Sequence, residues 1–255
     1  MSTWCRLRAA FCVRSDPDRQ RGKSRSVRPV TRLAADESLA ERYARLARET
    51  SDRRGTDLGL RALDLLLAAL FLLVSLPLTV PIGVAIVATS GPPFFYRGER
   101  VGRGGRIFTM LKFRTLKRGA EARLGPFLGP ELVARTEAET TRIGAWLRAT
   151  QLDELPQLLN ILRGDMSFVG PRPIRPRFFE ELAADLPGYW QRLVVRPGLT
   201  GFAQVRKGYE TSMAEKLAHD LEYIADRSLR LYLRTLAATG WRVLKQFVCG
   251  VAGGS

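Results

Sequence analysis

An uncharged, strongly apolar run occupies residues 65–90 and is the most pronounced feature of the hydrophobic pattern. A straight α-helix of that length reaches about 39 Å, enough to cross a hydrocarbon core of about 30 Å. Pro77 and Pro81 fall near its middle, and each removes a backbone hydrogen-bond donor. Arginines lie on both sides of the run, so the charges favour neither orientation across a membrane. We therefore expect residues 56–91 to form a re-entrant, monotopic membrane helix.

The re-entrant interpretation places a break in the helix at Ser75 and Pro77, after which the chain returns to the membrane face from which it entered. The first half of the run, residues 65–76, is only about 18 Å long and too short to cross. We expect the hydroxyl group of Ser75 to provide a hydrogen bond for backbone groups that the break leaves unpaired. A spanning helix and a buried helix of a soluble protein are the alternatives.

Downstream of the apolar run the pattern indicates one hairpin followed mainly by helices. Residues 94–116 contain two short apolar runs around the glycine-rich turn GRGGR, which is typical of a β-hairpin, and 119–140 predicts a surface excursion. We expect an α+β fold that is mostly helical, with the hairpin and surface amphipathic helices in one domain at 92–247. Helical spacing of apolar residues lies at 151–162, 177–185, 187–193 and 212–247.

The two ends of the chain lack such patterns. Residues 1–55 are rich in basic residues and have no sustained apolar period, which predicts a largely disordered tail with one polar helix at 36–54. The tail contains no continuous apolar stretch typical of a secretory signal, so export is not indicated. Residues 248–255 are short and glycine-rich, and they are expected to form a flexible C-terminal tail.

Composition narrows the kinds of function. Lysine and arginine number 41 against 25 aspartate and glutamate residues, which gives a formal net charge of +16. This excess indicates a polyanionic partner, which is a nucleic acid, an anionic lipid surface or a phosphorylated substrate. Three cysteines and one histidine, His219, argue against a structural zinc site, a disulfide scaffold and a Ser-His-Asp triad.

The segment RATQLDELPQLLNILRGDMSFVGPRP at 148–173 is the densest candidate for chemistry. Asp153 and Glu154 follow a predicted helix start at which Thr150 is the cap, and the amides and dipole of a helix N-terminus stabilise a carboxylate. Asp153 is therefore expected to stay ionised, as a nucleophile or a metal ligand must. The alternative is a capping aspartate beside a solvated glutamate.

Three further clusters provide cations that suit phosphate oxygens. Arginine offers a planar fork for phosphate, lysine acts as a point charge, and the neighbouring prolines and glycines favour tight loops. The clusters are KFRT with Lys112 and Arg114, GPRP with Arg172, and RPGLTGFAQV with Arg196 at its start.

The order of these segments resembles a known family. The apolar anchor is followed by PPFFYRGERVGRGGRIFTMLKFRT, LRATQLDELPQLLNILRGDMSFVGPRP, VRPGLTGFAQV and KLAHDLEYI, over roughly residues 61–245. This order is similar to that of the bacterial sugar transferases in the small monotopic phosphoglycosyl transferase class. The resemblance implies a catalytic domain at the cytoplasmic face of the bacterial inner membrane. Its reaction would transfer a sugar 1-phosphate from a UDP-sugar to undecaprenyl phosphate, release UMP and initiate exopolysaccharide, O-antigen or glycoconjugate assembly.

The same resemblance implies roles for individual residues. Asp153 corresponds to the nucleophile that forms a covalent phosphosugar intermediate, and Glu154 corresponds to its companion, a metal ligand or proton-handling group. Both carboxylates are candidate ligands of Mg²⁺, the cofactor that the resemblance implies. The phosphate ligands implied in this way are Lys112, Arg148, Arg172 and Arg196.

One departure from the family pattern concerns the loop after AQV, where many members carry a functional arginine and this chain has Gly208. Arg206 or Lys207 is expected to take that role from a shifted position. The expected partners are a UDP-sugar, undecaprenyl phosphate and membrane lipids, with no nucleic acid. Two other functions stay open at this point, namely a noncatalytic scaffold with a membrane-spanning helix and a nucleic-acid-binding protein.

Overall fold

The described residues form helices that pack with two small β-sheets. A computed structural model describes residues 54–124, 129–186, 188–207 and 212–252, so the tail predicted at 1–55, apart from its last two positions, lies outside the described residues. In chain order the elements are α1 (Arg54–Ser90), β1 (Phe95–Val101), β2 (Ile107–Phe113), α2 (Ala120–Leu124), α3 (Gly129–Ala138), α4 (Arg142–Thr150), α5 (Gln157–Arg163), β3 (Ser167–Val169), α6 (Pro176–Asp185), β4 (Gly198–Thr200), α7 (Phe202–Lys207), α8 (Met213–Asp226) and α9 (Leu229–Ala252).

Helix α1 continues through both of its prolines. The hydroxyl of Ser75 donates to the Leu72 carbonyl at 3.2 Å, and the hydroxyl of Thr79 donates to the Ser75 carbonyl at 2.9 Å. Each proline removes one backbone donor, and side-chain hydroxyls of this kind stabilise the surrounding turns. The structure therefore corrects the predicted break, because Ser75 and Pro77 lie inside one helix. The return of the chain to one membrane face stays a prediction.

Both ends of α1 pack on the rest of the protein, whereas its middle is exposed. Leu60 and Ala68 belong to the main apolar core, and Ile82 and Ile86 belong to a second buried cluster that includes Phe113. By length and composition, Gly55–Ser90 is apolar enough to cross a membrane. Exposed apolar surface of this extent is typical of contact with lipid or another protein. The large apolar side chains exposed in this part of α1 are Leu65, Leu66, Leu70, Phe71, Leu73, Val74, Leu76, Leu78, Val80 and Val84.

A buried carboxylate joins α1 to two other parts of the fold. Asp64 is 2% exposed, and its Oδ1 accepts hydrogen bonds from three donors. These are the Ser167 hydroxyl at 3.0 Å, the Phe168 amide at 3.0 Å and the Tyr232 hydroxyl at 2.6 Å. Three donors compensate for the water that the carboxylate loses on burial. The contact therefore fixes the start of the apolar run against β3 and α9.

The predicted hairpin is confirmed as the antiparallel pair β1–β2, in which Tyr96 lies opposite Lys112. A second sheet, which the sequence analysis missed, joins β3 and β4 in parallel with Ser167 beside Gly198. A Cβ on Gly198 would lie 2.1 Å from the Gly170 nitrogen, so the two segments approach closely enough to require glycine. Strands of three residues are too short for an alternating pattern to reveal them.

The structure confirms the mostly helical α+β class and corrects two helix boundaries. The helix predicted at 151–162 begins only at Gln157, because Gln151 adopts a left-handed φ of 59° and ends α4. The pattern at 212–247 corresponds to two helices, α8 and α9, rather than one. Helix α9 continues to Ala252, into the segment predicted as a C-terminal tail.

Close packing of α4 on the chain after β2 provides a test of the fold. A Cβ on Gly144 would lie 2.0 Å from the Thr115 carbonyl oxygen, which also accepts a hydrogen bond from the Thr141 amide at 3.0 Å. We expect Gly144→Ala to push the two segments apart and to lower the free energy of unfolding by about 1–3 kcal/mol. The measurement is the thermal unfolding midpoint of the purified protein in detergent.

The matched control is Gly240→Ala in α9, where nothing lies within 4 Å of the added Cβ and alanine favours the helix. This variant is expected to unfold at the parent midpoint or slightly above it. Equal midpoints for the two variants would contradict the described packing of α4.

Candidate active site

A cleft of about 850 Å³ lies between the β1–β2 hairpin, the 3₁₀ turn Leu152–Glu154 and the loop that follows β3. Two carboxylates line it, Asp153 and Glu154, and they are outnumbered by cations. A surplus of positive charge in a concave site is typical of binding to a polyanion such as a diphosphate. The basic residues that line the cleft are Arg97, Arg100, Lys112, Arg114, Lys117, Arg118, Arg148, Arg172 and Arg175.

The turn Leu152–Glu154 sets the position of both carboxylates. It follows Gln151, the left-handed residue that ends α4. Leu155 and the leucine of the turn pack on the second buried cluster, so the apolar side of the turn faces the core and the acidic side faces the cleft. Thr150 is the last residue of α4 rather than the cap of a new helix. The helix N-terminus expected at Asp153 is therefore absent.

Lys112 on β2 lies between the two carboxylates. Its Nζ is 2.5 Å from Glu154 Oε1 and 3.7 Å from Asp153 Oδ2. The three side chains are mostly buried, with exposed fractions of 19% for the lysine, 21% for the glutamate and 11% for the aspartate. Buried charges need partners that replace the water they lose. The lysine provides such a partner for both carboxylates and holds them at the wall of the cleft.

The pKa values of the two carboxyl groups are shifted in opposite directions. Burial raises the pKa of Asp153 and the charge of Glu154 raises it further, whereas Lys112 and Arg148 oppose the rise. Burial also acts to raise the pKa of Glu154, but the charges of Lys112 and Arg172 and the hydrogen bond from Lys112 outweigh it, so this pKa is lowered. Environments that separate the pKa values of neighbouring carboxyl groups are typical of catalytic pairs. The direction for Asp153 is opposite to that expected from a helix N-terminus, because burial dominates and the next α-helix begins only at Gln157.

Arg100, Arg172 and Arg175 form a cluster of like charges on the cleft wall. Burial lowers the pKa of Arg100, contact with Tyr96 opposes this, and the charges of Arg175 and Arg172 lower it further. Guanidinium groups that repel one another in a partly closed cleft are stabilised when an anion binds among them. The cluster therefore indicates an anionic ligand.

Five of these cations were not predicted from the sequence. Arg100 could have been found from strand alternation. Tyr96 and Arg100 are four residues apart on β1, so their side chains lie on the same face of the hairpin, and Tyr96 pairs with Lys112 across it. Without the register, the predicted hairpin did not reveal that Arg100 and Lys112 lie on the same side. The unpredicted cations are Arg97, Arg100, Lys117, Arg118 and Arg175.

Arg148 and Arg114, two predicted phosphate ligands, reach the cleft from different elements. Arg148 lies in the last turn of α4 and donates from Nη1 to Thr140 Oγ1 at 3.1 Å. Arg114 follows β2 and donates from Nη2 to the Ser90 carbonyl at 2.9 Å and to the Gly91 carbonyl. These carbonyls belong to the last residue of α1 and the residue after it, so Arg114 connects the end of the apolar helix to the cleft.

Two predicted phosphate ligands do not line this cleft. Arg196 donates from Nε to the Gly164 carbonyl at 3.0 Å, at the C-terminal end of α5. Arg206 forms an ion pair with Glu222 at 2.9 Å on the exposed surface. Gly208, where the family arginine was expected, lies outside the described residues, as does the side chain of its neighbour Lys207. The predicted phosphate ligands that the structure does bring to the cleft are Lys112, Arg114, Arg148 and Arg172.

Asp153 and Glu154 are also the candidate metal ligands. Over the described residues, no group of three or more His, Cys, Asp or Glu side chains is arranged to hold a metal ion. Mg²⁺ in phosphate-transferring sites commonly takes one or two carboxylates, with substrate phosphates as its other ligands. The two adjacent carboxylates on the cleft wall have the ligand type and the ligand number that suit Mg²⁺. In this structure Lys112 is the cation beside them.

Comparisons with known proteins agree on one family. A family model described as bacterial sugar transferase matches residues 56–246. A "UDP-glucose:undecaprenyl-phosphate glucose-1-phosphate transferase" from Caulobacter vibrioides is 41% identical over 195 residues, which are 72% of this chain and 70% of that protein. A "UDP-N-acetylgalactosamine-undecaprenyl-phosphate N-acetylgalactosaminephosphotransferase" from Aeromonas hydrophila is 36% identical over 174 residues, 67% of this chain and 40% of that protein. An "Exopolysaccharide production protein ExoY" from Sinorhizobium fredii is 37% identical over 179 residues, 66% of this chain and 78% of that protein.

Removal of the charge of Lys112 tests the electrostatic link between the three side chains. Lys112→Met keeps the approximate length of the side chain but removes its positive charge. That charge limits the rise in the pKa of Asp153 and lowers the pKa of Glu154, so both pKa values are expected to increase in the variant. The measurement is a ¹³C NMR titration of the side-chain carboxyl groups, with Asp153→Asn and Glu154→Gln variants to assign the signals.

Lys117→Met is the matched control, because Lys117 lines the same cleft but donates to the Ala138 carbonyl at 2.9 Å. In this variant the pKa values of Asp153 and Glu154 are expected to match those of the parent, because the charges that act on the pair do not include Lys117. If Lys112→Met leaves both carboxyl pKa values in place, Lys112 does not hold the pair as described.

Proposed function

This chain belongs to the bacterial sugar transferase family, and we propose that it is a phosphoglycosyl transferase that moves a sugar 1-phosphate from a UDP-sugar to undecaprenyl phosphate and releases UMP. The relatives are named for different sugars, so the proposal specifies the UDP-sugar class and not the sugar. The observation that carries it is the mostly buried pair Asp153 and Glu154, with Lys112 in contact with both, in a cleft lined by arginines. The lipid-linked product would initiate an exopolysaccharide, O-antigen or other glycoconjugate.

In the first step a carboxylate oxygen of Asp153 attacks the phosphorus that carries the sugar. The bond from this phosphorus to the bridging oxygen of the diphosphate breaks, and UMP leaves with the electron pair. Asp153 becomes an acyl phosphate that carries the sugar, which divides one transfer into two steps. The attack requires the ionised carboxylate, and burial raises the pKa of Asp153. The rate is therefore expected to fall as the pH decreases through that raised pKa.

In the second step an oxygen of undecaprenyl phosphate attacks the same phosphorus and displaces Asp153. The carboxylate is restored, and the sugar leaves on a lipid diphosphate. Donor and acceptor phosphates must reach Asp153 in turn and in line with the bond that breaks. A cleft of about 850 Å³ has room for the phosphates and sugar of the donor.

The cations of the cleft bind the phosphates and offset their charge. The charges of Lys112 and Arg148 act on Asp153, and the charges of Lys112 and Arg172 act on Glu154. Positive groups fixed around the reacting phosphorus stabilise the charge that develops in the transition state. Asp153 and Glu154 would hold Mg²⁺. When bound there, Mg²⁺ would offset the charge of the diphosphate.

The exposed apolar surface of α1 supports action at a membrane. An isoprenoid phosphate acceptor presents its phosphate at the lipid headgroup level, and Arg114 connects the end of α1 to the cleft. We infer that α1 enters the inner membrane from its cytoplasmic face, bends at Pro77 and Pro81 and returns to that face, because both of its ends pack on the catalytic domain. A noncatalytic scaffold or a nucleic-acid-binding protein would have no need for a buried carboxylate pair in the cleft.

Replacement of the nucleophile provides the test of the reaction. Asp153→Asn retains the size of the side chain but cannot form the acyl phosphate, so we expect UMP release to fall by about 10³-fold or more. The measurement is UMP production from a UDP-sugar panel in the presence of undecaprenyl phosphate and Mg²⁺.

Asp185→Asn, at an exposed position on α6, is the control and is expected to retain parent turnover. Undiminished turnover in Asp153→Asn would refute the mechanism. Thermal unfolding midpoints of both variants distinguish a chemical effect from loss of the fold.

Labelling of single cysteines tests the membrane topology. Leu58 and Phe94 are exposed and lie on either side of the apolar part of α1. In a variant without the three native cysteines, Leu58→Cys and Phe94→Cys are each expected to react with a membrane-impermeant maleimide only when the cytoplasmic side is accessible. Labelling of the two positions from opposite sides would show a spanning helix and contradict re-entry.

A further inference from the structure

A second cavity, of about 150 Å³, shares Arg172 with the active-site cleft. Its walls are mainly apolar, and the apolar side chains that line it include Ile174, Ala203, Met213 and Leu217. A cavity of this volume holds one ring of about the size of benzene. The reaction described above leaves this space without a role.

Three of the sequence segments that carry the family resemblance meet at this cavity. Arg172 comes from GPRP, Gln204 comes from RPGLTGFAQV, and Asp220 comes from KLAHDLEYI. The last two segments supply no charged group to the active-site cleft. Their shared position beside Arg172 therefore indicates a function next to the reaction centre.

Part of the cavity lining is a buried polar network centred on Arg192. Arg192 is 6% exposed and donates to Asp220 Oδ2 at 2.7 Å, to Tyr189 Oη at 2.5 Å and to the Arg172 carbonyl at 3.2 Å. A buried ion pair of this kind fixes the elements that it joins, here α8, the 3₁₀ helix Tyr189–Val194 and the loop that carries Arg172. The cavity is therefore a preformed feature of the fold.

Two buried polar atoms of residues that line the cavity have no hydrogen-bond partner in the described part of the chain, namely Gln204 Oε1 and Arg192 Nε. The Oε1 atom of Gln204 is buried and accepts no hydrogen bond from any described residue. Its backbone is held in place, because Arg242 donates to the carbonyls of Gln204 and Val205 at 2.5 Å each. Buried polar atoms without partners cost free energy and are commonly satisfied by a ligand or a water molecule. The backbone of Gln204 is thus fixed, and its side-chain acceptor is left for a ligand or a water molecule to satisfy.

We propose that this cavity binds the uracil base of the UDP-sugar, with the Gln204 carboxamide on the edge of the ring that carries N3–H and O4. A carboxamide has an acceptor beside a donor, and uracil has a donor beside an acceptor, so the two groups match in pairs. The apolar walls suit the faces of a flat ring. A hexose would bring several hydroxyl groups against walls with few partners for them, which is unfavourable.

The proposal rests on the proposed function and extends it to the nucleoside end of the donor. A base in the second cavity directs the diphosphate toward Arg172 and into the cleft, where Asp153 lies. Donor recognition would then use Gln204 to select the base, while the cleft binds the phosphates. The acceptor lipid, which has no base, would not use this cavity.

The experiment compares the parent with Gln204→Leu and with Ala203→Leu, which adds volume inside the cavity. We expect each variant to raise the KM for the UDP-sugar by about tenfold or more, with kcat changed less and the KM for undecaprenyl phosphate unchanged. Gln191→Leu, at an exposed position in the neighbouring 3₁₀ helix, is the matched control and is expected to behave as the parent.

Direct binding provides a second readout that does not depend on turnover. UMP and ribose 5-phosphate share the phosphate and the ribose, so the ratio of their affinities reports the contribution of the base. The parent is expected to prefer UMP by about tenfold or more, and Gln204→Leu is expected to reduce this ratio toward one. Saturation-transfer NMR on the uracil H5 and H6 signals should show contact in the parent and weaker contact in Gln204→Leu.

The outcomes separate this proposal from the proposed function. If the parent releases UMP but both variants keep the parent KM and the parent UMP preference, the cavity does not bind the base and the proposal is overturned. A change confined to the KM for undecaprenyl phosphate would also overturn it, by assigning the cavity to the acceptor. If the parent releases no UMP from any UDP-sugar, the proposed function fails, and the UMP preference alone then decides whether the cavity binds uracil.

Discussion

The contact of one lysine with two adjacent buried carboxylates is the interaction on which the active site depends. Asp153 and Glu154 repel each other in a mostly buried site, and the charge of Glu154 adds to the rise in the pKa of Asp153. Lys112 provides a compensating cation from β2, so the hairpin and the turn before α5 must pack in a fixed relation. Burial raises the pKa of Asp153, and the lysine limits the rise.

The same packing places an apolar surface beside a cationic cleft. Asp64 fixes one end of α1 against β3 and α9, and Arg114 binds the carbonyls at the other end. Between these points the apolar side chains of α1 are exposed. This arrangement suits a polyanionic nucleotide sugar, which would bind in the cationic cleft, and a lipid phosphate, whose apolar chain would lie in the membrane beside α1. The charge of +16 is thus partly concentrated where phosphates would bind.

The sequence predicted the parts of this arrangement that have strong local signals, and it missed those that depend on long-range packing. The apolar run, the hairpin around GRGGR and the acidic pair at 153–154 were visible because each is a contiguous pattern. The turn that holds Asp153 was misassigned as a helix start, since Gln151 gives no sequence signal of its left-handed backbone. Arg196 was predicted to bind phosphate, but its guanidinium group donates to the carbonyl at the end of α5. Only the packed fold reveals this contact.

The central claim is that Asp153 becomes covalently bonded to the sugar phosphate, and peptide mapping by mass spectrometry tests it most directly. The parent enzyme is incubated with a UDP-sugar and Mg²⁺ without undecaprenyl phosphate, quenched in acid and digested. The mechanism predicts one sugar phosphate on the peptide that contains Asp153, and this adduct should disappear when undecaprenyl phosphate is added before the quench. An adduct on another residue, or UMP release by an active enzyme with no adduct at any time after mixing, would contradict it.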